Sequence, residues 1–228
     1  SWGAQERPLV VCLHGWGGRA TQWSALVAAL LATDHRVVAL DAPAHGASDG
    51  DRASLPAFRD ALLRVLEAEG DPTALVGHSL GGLAVLAAIA SRASGGASSL
   101  PRAISIGAPS SVNRPLARFV RRHQASDAVK SAMIAQLERR WHFHWDDVDT
   151  PALAREAAPA GGATLLVVHA PDDEQVLVVE SEWLADDWPG AIRWLAPVGS
   201  GHVRILRDAN VVRQIVSFIA DGEISVET

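Results

Sequence analysis

The sequence predicts an α/β fold, a mostly parallel sheet with helices on both faces, and three observations predict it. Short apolar runs, several of them rich in β-branched residues, recur along the chain, and stretches with helical spacing separate them. Several of these runs open into loops of glycine and polar residues, where open α/β sheets place their ligands. Finally, Thr73-Ala74-Leu75-Val76 passes into a small-residue helix through Gly77-His78-Ser79-Leu80-Gly81-Gly82, a sharp strand-to-helix turn.

Taken in order, Leu9-Val10-Val11-Cys12-Leu13 is a buried strand that runs into His14-Gly15-Trp16-Gly17-Gly18, and Thr21 to Leu31 has helical spacing. Arg36 to Leu40 is a second strand, ending in the turn-rich loop Asp41 to Ser48. Leu55 to Glu69 is amphipathic, with Leu55, Phe58, Leu62, Val65 and Leu66 on one face. The strand from Thr73 and a helix to Ser91 follow, then a Ser/Gly linker to Ser99 and the strand Ala103 to Ile106. After Gly107-Ala108-Pro109 the alternation breaks, and from Ser110 to Gly162 the chain is arginine-rich and helical. It resumes with a strand from Ala163 to Val168, a helix from Glu180 to Trp188, a strand from Ala191 to Leu195 and a helix from Asp208 to Ala220. Residues 1–109 and 163–228 thus read as one core, and residues 110–162 as a small helical cap inserted over one end of the sheet.

Composition narrows the function. A chain of 228 residues, 48% hydrophobic, suits one domain with a substantial core. A net charge of −6 with dispersed basic residues offers no footprint for nucleic acid or an anionic membrane surface. No apolar run approaches the roughly 20 residues of a membrane span. The single cysteine, Cys12, lies inside an apolar run, which excludes an intrachain disulfide and leans towards a reducing compartment, so a cytoplasmic location is expected. The opening residues do not form a signal peptide, although the missing initiator methionine is compatible with trimming upstream, export signal included.

The chemistry centres on Gly77-x-Ser79-x-Gly81. A nucleophile on so tight a turn needs glycine on either side, because a Cβ there would meet crowded backbone. The hydroxyl of Ser79 then projects clear of the sheet, and the backbone N–H of Leu80 faces the same space at a helix N-terminus. Attack by serine also needs a base and a group to orient that base. His169-Ala170-Pro171-Asp172-Asp173-Glu174-Gln175-Val176 follows one strand and offers the carboxylate; Gly199-Ser200-Gly201-His202 follows another as a flexible loop and offers the histidine. The chain order Ser, Asp, His is the one expected of a nucleophile-elbow hydrolase.

On these residues the chain resembles the α/β-hydrolase superfamily from Leu9 to Ala220. The resemblance rests on His14-Gly15-Trp16-Gly17-Gly18, Asp41-x-Pro43-x-x-Gly46-x-Ser48, Gly77-His78-Ser79-Leu80-Gly81-Gly82, His169-x-x-x-Asp173-x-x-Val176 and Gly201-His202. It implies Ser79 as nucleophile, His202 as base, Asp173 as its partner and the backbone N–H groups of Trp16 and Leu80 as oxyanion hole. Within the superfamily the chain is most similar to bacterial hydrolases with a short helical cap. Two departures stand out. The leading pair of antiparallel strands is absent, which leaves edge protection and oligomeric state open, and Ala44 stands where the family generally has glycine, with little consequence expected.

Other polar residues have plainer readings. His78 should point away from the Ser79 hydroxyl, His14 should support the oxyanion loop and His45 should brace its own turn. Trp141-His142-Phe143-His144-Trp145 has no second ligand cluster, so no metal is expected there, and the proposed reaction needs no cofactor. Asp172 competes with Asp173, but the spacing from His169 and Val176 favours Asp173. Asp146, Asp147 and Asp149 read as helix-start or solvated charges. Of the eight tryptophans only Trp16 has a position that argues for substrate contact, joined from the cap by Met133, Leu137 and Trp141. The expected function is a carboxylesterase acting through an acyl-enzyme on a small, fairly apolar ester. Thioesterase, lactonase and C–C bond hydrolase activities, or a slow ligand-binding sensor, are the alternatives.

Overall fold

The structure is a computed structural model that describes residues 1–97, 99–145 and 149–224; within helices, the side chains of residues 114, 115, 118 and 141 are not among those described. Its centre is a six-stranded sheet in the order β2-β1-β3-β4-β5-β6, every pair parallel. The strands are β1 (Leu9–Leu13), β2 (Arg36–Leu40), β3 (Ala74–His78), β4 (Arg102–Ile106), β5 (Leu165–Val168) and β6 (Ile192–Leu195). Leading antiparallel strands are absent among the described residues, except for one bridge: the Trp2 and Val37 N–H groups each donate to the other's carbonyl at 2.9 Å, against the outer edge of β2.

Side chains alternate across each strand, which divides the interior into two cores. Leu9, Val11 and Leu13 face α2 (Leu55–Glu69), α3 (Leu80–Ser94), α6 (Thr150–Ala157) and α7 (Val178–Asp187); Val10 and Cys12 face α1 (Ser24–Ala32) and α9 (Ala209–Asp221). Phe58, Leu62 and Leu83 fill the first core, and Leu30, Ile104 and Phe218 the second, all with 0% exposure. Each such side chain contributes about 1.5–3 kcal/mol by leaving water.

Helix boundaries follow local chemistry where it exists. Ser54 accepts the Ala57 N–H at 3.2 Å with Pro56 in the first turn, and Gly70 at φ 93 stops α2. Asp208 caps α9 through the N–H groups of Asn210 and Val211. Helical spacing from Thr21 is instead a 3₁₀ turn over Ala20–Trp23 before α1, because Asp41 of the neighbouring loop takes the Ala20 N–H at 2.6 Å. The helix expected to end near Ser91 runs on to Ser94.

The excursion between β4 and β5 is not uniform. Leu116 and Val120 of α4 (Asn113–Arg122) and Trp145 form a separate small cluster, packed by Met133, Ile134 and Leu137 of α5 (Asp127–Trp141). Leu153 and Ala157 of α6 belong to the main core beside α3. Asp149, read as a helix-start charge, makes no side-chain cap; it accepts from Ser111 Oγ, the Val112 N–H and Asn113 Nδ2, tying the start of the excursion to its end. Asp146 and Asp147 lie outside the described residues.

The strand registers decide where the loops go. Leu13 stands beside Gly77, Gly77 beside Ser105, Ile106 beside Val168 and Val168 beside Leu195. The carboxyl ends of five strands are therefore nearly level, and the loops after them share one edge.

Candidate active site

The turn from β3 to α3 is held by close backbone contacts. An added Cβ at Gly77 would lie 2.3 Å from the Gly81 carbonyl oxygen, and one at Gly81 would lie 2.3 Å from that of His14. Only glycine fits at either position. Ser79 between them takes φ 52 and ψ −124, a conformation costing a residue with a side chain about 1–3 kcal/mol. It is kept there by its N–H, which donates to the Ile106 carbonyl at 2.8 Å, and by its own carbonyl, which accepts from Gly82 at 2.9 Å. Gly15 lies against it, since an added Cβ would sit 2.7 Å from Ser79 Cβ.

Asp173 and His202 meet beside this turn. The Nδ1–H of His202 donates to Asp173 Oδ2 at 2.6 Å, a tautomer that leaves Nε2 with its lone pair. The other oxygen, Oδ1, accepts the N–H groups of Gln175 and Val176 at 2.8 and 2.9 Å. Burial raises the Asp173 pKa, but hydrogen bonds from His169, His202 and the Val176 N–H outweigh it and hold the carboxyl far below the usual carboxylate range. His169 is fully buried under this pair: its Nε2–H donates to the Val176 carbonyl at 2.9 Å and lies 3.5 Å from Asp173 Oδ2, while Nδ1 accepts from Ser181 Oγ at 2.5 Å.

His202 stands in a short helix, α8 (Gly201–Arg204), rather than in a flexible loop. Asp172, the other carboxylate considered, is turned elsewhere and accepts the Gly199 N–H at 2.9 Å, bracing the approach to α8. His78 does not merely point aside. Its Nε2–H donates to the His202 carbonyl at 2.8 Å, with the two rings 4.7 Å apart, and its Nδ1 is buried without a partner among the described residues. Burial, and then the neighbouring His202, push the His78 pKa down to about 4, so the ring is neutral in the folded protein near neutrality.

One residue had no evident reason in the sequence. Gly107, at φ 55, follows Ile106; an added Cβ would lie 3.3 Å from His202 Nδ1 and 3.4 Å from Asp173 Oδ2. Ile106 carries the Ser79 bond and Gly107 underlies the Asp173–His202 pair, so one turn joins all three residues. The only local hint was a glycine directly after an apolar strand.

The loop after β1 approaches from the other side. His14 is buried; its Nδ1–H donates to the Gly15 carbonyl at 2.7 Å and its Nε2 accepts the Ala42 N–H at 2.9 Å, so one neutral ring ties two loops together. Burial lowers its pKa, which preserves that state. His45 donates from Nδ1 to the Pro43 carbonyl at 2.9 Å within its own turn. Ala44 takes φ 62, the left-handed region, so alanine here carries strain that the glycine expected at this position would not. Among the described residues, neither Trp16 nor Leu80 donates its backbone N–H to a protein acceptor.

Two adjoining cavities lie along Trp16, and the smaller one reaches the turn through Leu80. A 240 Å³ cavity is lined by Leu80, Trp16, Leu55, Val112, Leu137, Phe143 and other largely apolar residues. A 690 Å³ cavity continues along Trp16 and Leu137 to Met133. Trp16, Met133 and Leu137, expected from the sequence to contact substrate, line cavity walls, while the Trp141 side chain lies outside those described.

A model of the alpha/beta hydrolase family matches residues 10–215. A serine hydrolase-like protein of Danio rerio is 38% identical over 86 residues, which cover 36% of this chain and 26% of that protein. The probable esterase PIR7A of Oryza sativa subsp. indica is 43% identical over 84 residues, covering 35% of this chain and 32% of that protein. The chain thus matches about a third or less of the length of these curated relatives. Among solved structures, the monoacylglycerol lipase of Paleococcus ferrophilus superposes with a TM-score of 0.69 over 96% of each chain at 20% identity, a likeness of fold.

Proposed function

The chain belongs to the alpha/beta hydrolase family, and on that premise we propose that it is a serine hydrolase of carboxylic esters acting through an acyl-enzyme. Ser79 Oγ attacks the ester carbonyl carbon while His202 Nε2 takes its proton. The N–H groups of Trp16 and Leu80 stabilise the oxyanion, and the alcohol leaves with the proton held by His202. Water then gives a proton to His202, attacks the acyl carbon and frees the acid, which restores the Ser79 hydroxyl. Asp173 keeps the imidazole in the tautomer that presents Nε2 and stabilises the imidazolium formed at each attack.

The observation that carries this reading is the 2.6 Å bond between His202 Nδ1 and Asp173 Oδ2. The rest of that carboxylate is engaged by backbone N–H groups, so its remaining role is to hold the ring. The largely apolar cavity beside Leu80 suits a small apolar arm of the ester, with the α4–α5 pair as its cap.

The test pairs covalent labelling of Ser79 by a fluorophosphonate with turnover of a short p-nitrophenyl ester. Ser79→Ala should abolish both while circular dichroism stays native; loss of the nucleophile costs on the order of 10⁶ in kcat. Labelling without turnover would turn the reading to a binding protein. Parallel assays on a thioester and a lactone rank the alternatives.

A further inference from the structure

The two cavities along Trp16 differ in charge, and an inference about the substrate follows that rests on the hydrolase reading above. Trp16, Ala53 and Leu137 line both cavities, which therefore lie side by side along one wall. The smaller one has no charged residue in its lining among the described residues. The larger one gathers Arg19 from the loop after β1, Arg52 from the segment before α2 and Arg140 from the last turn of α5, with Asp51 the only carboxylate among the described residues.

Among the described residues these cations are poorly neutralised. Asp51 is 88% exposed at its side chain and reaches Arg52 Nε only at 3.6 Å. Arg19 acts on Asp41 at a distance, but that carboxylate is taken by the N–H groups of Ala20 and Ala47 at 2.6 and 2.8 Å. Arg140 forms no ion pair among the described residues. Three separate elements thus deliver guanidinium groups to one concavity in a chain whose net charge is −6. Concave walls focus such a field on whatever enters.

We propose that this site takes acidic esters: a short apolar arm in the smaller cavity, and an arm ending in an oxyanion such as a carboxylate in the larger one, against Arg19, Arg52 and Arg140. Guanidinium groups suit this task because their charge is permanent and their donors match a planar oxyanion.

The test compares kcat/KM for phenyl butyrate, which is neutral, with 4-carboxyphenyl butyrate, anionic on the alcohol, and phenyl hemiglutarate, anionic on the acyl group. At low salt one of the anionic esters should exceed the neutral one by about tenfold, chiefly through KM, and added salt should shrink the advantage. Which of the two gains shows which arm faces the arginines. Arg19→Gln, Arg52→Gln and Arg140→Gln should each lower the anionic-to-neutral ratio about threefold to tenfold. A ratio unmoved in the triple variant overturns the proposal.

Absence of turnover for all three esters would instead strike the hydrolase reading. The anion site is then judged by calorimetric titration of Ser79→Ala protein with phenyl hemiglutarate and phenyl butyrate. A preference for the anion that the triple variant loses sustains the site; equal binding ends it.

Discussion

Helices α3 and α5 are both 15 residues long and both line the smaller cavity, through Leu80 and Leu137, yet they are built on opposite terms. From Gly81 to Ala90 every residue of α3 is buried, and its first turn is pressed onto the His14 carbonyl. None of the described side chains of α5 is fully buried; Met133, Ile134 and Leu137 share a cluster whose buried members are Leu116, Val120 and Trp145. The contrast teaches how precision and tolerance are divided. The turn proposed to carry the reacting groups hangs from backbone contacts that admit no Cβ, whereas the wall proposed to meet the variable part of a ligand rests on little buried area and can change cheaply.

The largest expected effect tests the fixed side. Asp173→Asn should lower kcat/KM by about 10⁴, as loss of the orienting carboxylate does in a serine triad, while Asp172→Asn, which only loosens the Gly199 turn, should be mild. Steady-state kinetics on the two variants decide it; the reverse ranking would exchange the aspartates.

Leu83→Ala on α3 and Leu137→Ala on α5 then set the same change in both environments. The first removes a side chain with 0% exposure and should cost about 2–5 kcal/mol in urea unfolding. Because Leu137 is only half-buried, its loss should cost about 1 kcal/mol or less. Equal costs would erase the distinction between the helices.

A pH effect belongs to the fixed side too. His78 has its folded pKa lowered from 6.5 to about 4, so between these values the unfolded chain binds more protons and stability falls as pH falls. The full loss is up to about 3 kcal/mol. Asp173 acts separately: its contribution is complete above the ordinary aspartate range and disappears only at lower pH still. His78→Gln keeps a donor near the His202 carbonyl without the titration, and should flatten the slope of stability between pH 6.5 and 4. The smallest effect is expected from Met133→Ala and Leu137→Ala on activity: a change in acyl chain-length ranking with little change in overall rate. An unchanged ranking in both variants would make α5 a support and leave selectivity to Trp16 and the loops.

What could be read in the sequence follows the range of the forces involved. Alternating strands and the span of α2 were legible because the apolar period lies within the segments it determines. Ser79, Asp173 and His202 could be named from loop positions, and the spacing after His169 separated Asp173 from Asp172. Other features arise from distant partners. The 3₁₀ turn before α1 depends on Asp41, the role of Gly107 on His202 and Asp173, and the bond of His78 on a carbonyl 124 residues away. The arginines at 19, 52 and 140 carry no mutual signal along the chain, and only folding brings them to one cavity.

Cys12 gives the molecule a built-in clock. It is the sole thiol of the chain, has 0% exposure in β1, stands between Ala39 of β2 and Val76 of β3, and burial pushes its pKa strongly upward. Its side chain faces α1 and α9, so a thiol-alkylating reagent can reach it only when that helical layer parts from the sheet or the sheet itself opens. The rate of modification at saturating reagent therefore times that opening, and a ligand that settles between α3 and α5 should slow the clock only to the extent that the opening is global.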